Sequence, residues 1–239
     1  MKKFSKITGL SLLEYQVLAD AFHIGEMFCY QFDEERIEKE DLQSLYNKAI
    51  FTLYQRHALK VDEEGMHVDE EIRMFFQILQ RCEKVLVIEQ PNDGKAPCCL
   101  YLSTDQRIAG VLPGKREDEY IRFFITDEDD VAEVLKDLDL IVWGVLTEGL
   151  EESCEDIPFT GELSEGVLNH DRLEKAKDVV ILYDLADAVQ KRIMSSFCVV
   201  RQPIQDKLII LEGTEVQIEP YSPDRFKMHL ESAVYGGRR

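Results

Sequence analysis

Behind Ser11 the apolar residues Leu13, Val17, Ala21 and Ile24 recur at helical spacing, and Ser11-Leu12-Leu13-Glu14 is a capping-box pattern. In such a box the serine and glutamate side chains satisfy each other's backbone N–H groups. The spacing predicts a helix running to about residue 30. Leu42, Leu45, Tyr46, Ala49, Ile50 and Leu53 mark a second, amphipathic helix. Leu59-Lys60-Val61 and Met66-His67-Val68 flank a glycine turn and read as a hairpin. Asp69 can then cap a third helix carrying Ile72, Phe75, Phe76 and Leu79.

The period changes at residue 84. Residues 84–89 (KVLVIE) and 98–103 (CCLYLS) are strand-like, separated by the turn cluster Pro91-Asn92-Asp93-Gly94. Residues 107–112 and 119–125 make two more strands around Pro113-Gly114. Thr126 is the expected cap of a helix that starts on Asp127-Glu128-Asp129-Asp130, where carboxylates suit the helix dipole, and continues through Val131, Val134, Leu135 and Leu138. From Asp137 to Asp171 there is no Lys or Arg and there are ten acids. Gly149, Pro158, Gly161 and Gly166 make this stretch turn-rich, which favours a solvated connector over the alternative of an adhesive loop. A helix is expected to resume near Asp171 and run towards residue 192.

The C-terminal region repeats the strand pattern. Residues 198–203 line up with 86–91, 207–211 with 98–102, 216–220 with the approach to Pro113, and 225–230 (RFKMHL) with 120–125 (YIRFFI). The expected fold is therefore α+β, an antiparallel sheet built from two copies of a helix-plus-hairpins unit after a winged-helix-like helical module. The segments are 1–83 for the module, 84–138 for the first repeat, 139–170 for the acidic connector and 171–239 for the second repeat.

Charge narrows the function. Lys and Arg number 28 and Asp and Glu 47, a net charge of −19 over 239 residues. A nucleic-acid binder needs clustered cations to displace counterions, and an anionic membrane repels such a chain, so neither partner is expected. Met1-Lys2-Lys3-Phe4 is followed by no apolar signal region, because Glu14 and Asp20 interrupt it, and the longest strongly apolar run, 140–146, is too short to span a bilayer. The expected location is the cytoplasm. In that compartment Cys29, Cys82, Cys98, Cys99, Cys154 and Cys198 act as small apolar residues. The five histidines stand at no metal-ligand spacing, and no nucleophile elbow, Walker loop or dinucleotide fingerprint is present. No enzyme activity, metal or cofactor is expected.

Alternation picks out one candidate surface. In 120–125, Ile121, Phe123 and Ile125 share a core side, leaving Tyr120, Arg122 and Phe124 on the other. In the matched segment Phe226, Met228 and Leu230 take the core side, leaving Arg225, Lys227 and His229. Aromatic and basic residues suit an interface, so Tyr120, Arg122, Phe124, Arg225 and Lys227 are the candidate protein-binding residues, with the acidic loop 147–166 the next candidate.

The helical N-terminal stretch LSLLEYQVL, the amphipathic LYNKAIFTLYQRHAL, the short hairpin and the doubled sheet unit resemble the EspG-type chaperones of type VII secretion, in a Gram-positive relative outside the mycobacteria. The resemblance implies a cytosolic chaperone that binds a helical secreted client protein and keeps it soluble. It also implies that the family's C-terminal helical bundle is truncated here or relocated into 163–192. A ligand-sensing regulator with a winged-helix-like N-terminus is the alternative from another class. A deep apolar pocket would mark that regulator, and a flat face of exposed aromatic and basic residues the chaperone.

Overall fold

The protein is described from a computed structural model that places residues 8–24, 30, 39–63, 65–89, 96–105, 107–114, 120–127, 130–140, 176–184, 192–200, 206–212 and 215–236. Most of the acidic connector, the 147–166 loop, the turn at 91–94, Cys29 and Cys154 lie outside them. The elements in chain order are β1 (Thr8–Leu10), α1 (Leu12–Ala21), α2 (Lys39–Gln55), β2 (Leu59–Asp62), β3 (Gly65–Val68), α3 (Glu70–Gln80), β4 (Cys82–Glu89), β5 (Cys98–Ser103), β6 (Ile108–Pro113), β7 (Ile121–Thr126), α4 (Val131–Asp137), β8 (Ala176–Asp184), β9 (Arg192–Val200), β10 (Lys207–Glu212), β11 (Glu215–Pro220) and α5 (Pro223–Tyr235). The chain is α+β, as its patterning predicts. It divides into two compact units, one of residues 1–82 with 99–127 and one of 83–98 with 128–239.

In the first unit the strand order is β1-β7-β6-β5, all antiparallel. The capping box closes as predicted: Glu14 N–H donates to Ser11 Oγ (3.2 Å) and Ser11 N–H donates to Glu14 Oε2 (2.8 Å). Helix α1 ends at Ala21 rather than near residue 30. His23 stops it by adopting a left-handed conformation (φ 54°), which lets Ile24 N–H reach Ala19 O (2.9 Å). His57 does the same after α2 (φ 61°), with Ala58 N–H donating to Leu53 O (2.9 Å). Two histidines that offer no ligand spacing thus serve as helix stops. Asp69 caps α3 as expected, accepting from Glu71 N–H (3.0 Å). The aromatic core runs from Tyr15 through Phe75 and Phe76 to Phe123, with Phe75 and Phe123 ring centroids 4.5 Å apart.

In the second unit the order is β4-β8-β9-β10-β11. Three expectations fail here. Within the helix expected from Asp171 towards residue 192, the described residues 176–184 are strand β8 and hold no relocated helical bundle, and the rest of 163–191 lies outside the described residues. Its Val179-Val180-Ile181-Leu182-Tyr183 run is apolar throughout and opens on three β-branched residues, which suits a strand better than a helix with one apolar stripe. The second failure is the strand expected at 225–230, which is the body of α5. Ser222 caps it, accepting from Arg225 N–H (3.3 Å), and Pro223 opens it, so the helix-start signal stood in the sequence. Phe226, Leu230 and Val234 recur every fourth residue and are the buried set, whereas R-F-K-M-H-L also satisfies a period of two. The third concerns α4, which is capped by Asp130 rather than by Thr126. Thr126 is the buried last residue of β7, and Asp130 accepts from Ala132 and Glu133 N–H.

These corrections move the repeat by one strand. Four strands followed by a helix occur twice, as β4 to β7 with α4 and as β8 to β11 with α5. The sequence alignment, which starts the second copy at residue 198 in β9, sets four strands and a helix against three strands and a helix. The equivalent first strands, β4 and β8, pair antiparallel, from Lys84 opposite Asp184 to Glu89 opposite Val179.

Candidate protein-binding surfaces

The five residues singled out by alternation are divided between the two units, and the three of the first unit differ in exposure. Tyr120, 61% exposed, stands just before β7. Arg122 is on β7, but its Nε donates to Pro113 O (3.0 Å), which holds the guanidinium along the sheet. Phe124 is fully buried. It lies across Gly110, its partner on β6, so closely that a Cβ on Gly110 would sit 2.0 Å from the ring. The face opposite Phe123 is therefore core as well.

Arg225 and Lys227 belong to α5, in the other unit. Arg225 pairs with Glu219 at 3.5 Å. Lys227 faces three carboxylates, Asp130 at 2.7 Å, Glu133 at 3.6 Å and Glu231 at 3.6 Å. Burial pushes the Asp130 carboxyl up, and the Lys227 ammonium with two backbone N–H groups outweighs it, leaving the carboxyl below its ordinary range. The bond to Asp130 likewise raises Lys227. These three acids of its own chain tie Lys227, and with it α5, to the cap of α4.

Large apolar residues reach solvent elsewhere. Helix α2 is held to α1 by Tyr46, whose hydroxyl donates to Asp20 (2.9 Å). At its C-terminal end Arg56 Nη1 donates to Glu14 Oε2 (3.0 Å) and Arg56 Nη2 to Gly9 O (2.5 Å). Glu14 is buried and its Oε2 also serves the capping box, so the ion pair fixes the helix against β1 and α1 at once. Ala49 and Leu53 then face inward, and Ile50, Phe51 and Tyr54 face out, at 36%, 59% and 50% exposure. Residues 49–55 carry no charge at all in this acidic chain. Phe51 and Tyr54 were absent from the predicted stripe. The signal was available in AIFTLYQ, a helical stretch apolar on more than one side, which is the pattern of a helix with a second covered face.

The second apolar surface is on β11, where Val216 and Ile218 are 40% and 47% exposed. The four described cysteines do not add to either surface. Cys98, Cys99 and Cys198 are buried, and burial pushes the Cys82 thiol up to about 11, so it does not act as a thiolate at neutral pH. Among the described residues no group of three or more His, Cys, Asp or Glu could hold a metal, and no helix is long and apolar enough to cross a membrane.

With this geometry in place the chain can be compared with known structures. It overlays on the Mycobacterium tuberculosis type VII secretion system chaperone EspG5, solved in complex with the PE25–PPE41 dimer, with a TM-score of 0.52 over 96% of each chain. The fold is similar to that of EspG5. Sequence identity over the overlay is 10%, so the likeness is one of fold. No family model and no curated protein sequence matches the chain.

Proposed function

We propose that this chain is a protein-binding protein of chaperone type that holds a helical secreted client through the outward row of α2. The observation that carries the reading is the whole-chain fold likeness to EspG5, a chaperone seen with the PE25–PPE41 dimer. The row Ile50, Phe51 and Tyr54 supplies the chemistry. Aromatic side chains lose little conformational freedom on binding, and a few of them dominate the energy of an interface. The Glu14–Arg56 pair fixes the helix that carries them. The net charge of −19 keeps the free protein soluble despite the exposed row. Binding and release are the whole of the activity, and no catalytic step is assigned.

The experiment is co-expression with small helical proteins encoded nearby, followed by co-purification and titration. Phe51→Ala with Tyr54→Ala should weaken binding about thirtyfold or more, because a hot spot is commonly worth roughly 2 kcal/mol and each ~1.4 kcal/mol is tenfold. The melting temperature should stay within a few degrees of wild type, since both side chains are exposed. Undiminished binding by the double variant removes α2 as the surface. If no helical partner co-purifies with the wild-type chain, the chaperone function itself is wrong.

A further inference from the structure

The two copies end on strands that hold the same place, β7 and β11, and β7 is sealed along its outer edge by β1 through the pairs Thr8–Phe123, Gly9–Arg122 and Leu10–Ile121. Among the described residues β11 pairs with β10 alone. An edge strand turns alternate N–H and C=O groups outward, where another chain can pair with them, and proteins commonly guard such edges with lysine, proline or a bulge. The pairing of β11 with β10 runs without a register shift from Glu215 to Pro220, the strand has no lysine, and its proline stands at the last position. Cross-strand partners share a face, so Val216 continues the row of Leu211 and Ile218 that of Ile209. Leu211 and Ile209 are 2% exposed and their neighbours on β11 are 40% and 47% exposed. The opposite face holds Glu219, where α5 is fastened through His229 (2.8 Å) and Arg225 (3.5 Å). An apolar row of the sheet thus runs out to solvent at an edge that no described strand pairs with.

We propose that β11 accepts an extended segment of a partner protein as an added strand, with apolar residues of that segment beside Val216 and Ile218 and basic residues between them. This deepens the chaperone reading and rests on it in taking the partner to be a client. The charge of the occupant follows from the chain. Glu212 and Glu215 lie at the start of the strand, Glu219 being taken up by Arg225 and His229, and the net charge is −19. A second copy would bring the same carboxylates to the same edge, and like charges on facing strands repel. A basic strand is attracted to that edge and faces the same apolar row.

The probe is a labelled peptide Lys-Val-Lys-Ile-Lys-Val-Lys, with a Glu-for-Lys counterpart and a shuffled peptide in which the alternation is lost. Each is titrated by fluorescence anisotropy against the wild-type chain and against Val216→Lys with Ile218→Lys, and amide exchange is followed over residues 215–220. The alternating basic peptide should bind at least about tenfold more tightly than the other two and slow exchange in β11, and the double variant should lose at least about tenfold of that binding with its melting temperature unchanged. If the double variant does not fold, Ile218→Thr, which keeps a β-branched side chain, takes its place and should still weaken binding severalfold. Equal binding of all three peptides, protection elsewhere in the chain, or indifference to the substitutions overturns the proposal. So does concentration-dependent self-association that the edge variants abolish, because the occupant is then a second copy. Retained client binding with no peptide at β11 sinks this proposal alone. Failure of any helical client to bind sinks the chaperone reading instead.

Discussion

β7 and β11 are the last strands of two copies of one unit, and they differ in what covers them. On β7, Ile121, Phe123 and Phe124 are fully buried and Ile125 nearly so, and β1 lies along its outer edge. On β11, Val216 and Ile218 are about half exposed and the outer edge has no strand among the described residues. The sequences state the difference. Phe123-Phe124 places large apolar side chains on both faces, which a strand tolerates only when both are covered, whereas Glu215-Val216-Gln217-Ile218-Glu219 alternates strictly and keeps one apolar face. Strict alternation read across both segments assigns Phe124 to a free surface. The adjacent pair of phenylalanines was the stronger signal.

The largest expected effect breaks or upholds this contrast directly. Phe124→Ala should destabilise the protein about as much as Phe123→Ala, roughly 3–5 kcal/mol each, because both empty a fully buried site. Ile218→Ala should cost about 1 kcal/mol or less, as half-exposed truncations do. Urea denaturation of the three variants measures the difference. An Ile218→Ala loss equal to that of Phe124→Ala would mean that β11 is covered like β7.

A smaller effect probes how β7 came to be buried on its second face. Gly110 gives Phe124 its space, and a Cβ there would meet the ring at 2.0 to 2.1 Å. Gly110→Ala should cost roughly 1–3 kcal/mol by overpacking. In a Phe124→Ala background the same change should cost little, since the atom it strikes is gone, so the pair should be strongly non-additive. Additive losses would show that the ring moves aside and that the glycine serves the backbone instead.

Much of the fold was legible because local signals agreed. The Ser11–Glu14 box, the Asp69 cap, strand β5 and strand β6 follow from short patterns that sterics and hydrogen bonding fix on their own. The errors fall where two periods fit one segment. Residues 225–230 satisfy a period of two as well as a period of four, and only the Ser222-Pro223 start decides between them. Residues 179–183 are apolar throughout, so periodicity cannot separate helix from strand and β-branching has to. The candidate site was less legible for a different reason. Which basic residues face a partner depends on which acids of the same chain reach them first, and Lys227 meets Asp130, 97 residues away.

That long-range contact gives the smallest of the expected effects, and it sharpens the comparison at the helices that close the two copies. Lys227 on α5 joins the cap of α4 through Asp130, with Glu133 and Glu231 beside it. Lys227→Met keeps the length of the side chain and removes the charge. Exposed to about a third, the pair is screened by water, so the loss should be about 0.5–1 kcal/mol near neutral pH. The folded Asp130 carboxyl lies below its ordinary value, so its contribution is present above about pH 4 and fades as pH falls through the lowered value. Lys227 lies above its ordinary value, so its contribution is present below about pH 10 and fades as pH rises through the raised value. The difference in stability between wild type and Lys227→Met should therefore form a plateau between these limits and shrink towards zero on the acid side. Thermal melts of both proteins from pH 3 to pH 9 measure it, and a difference that stays constant down to pH 3 would show that Lys227 holds α5 by packing rather than by charge.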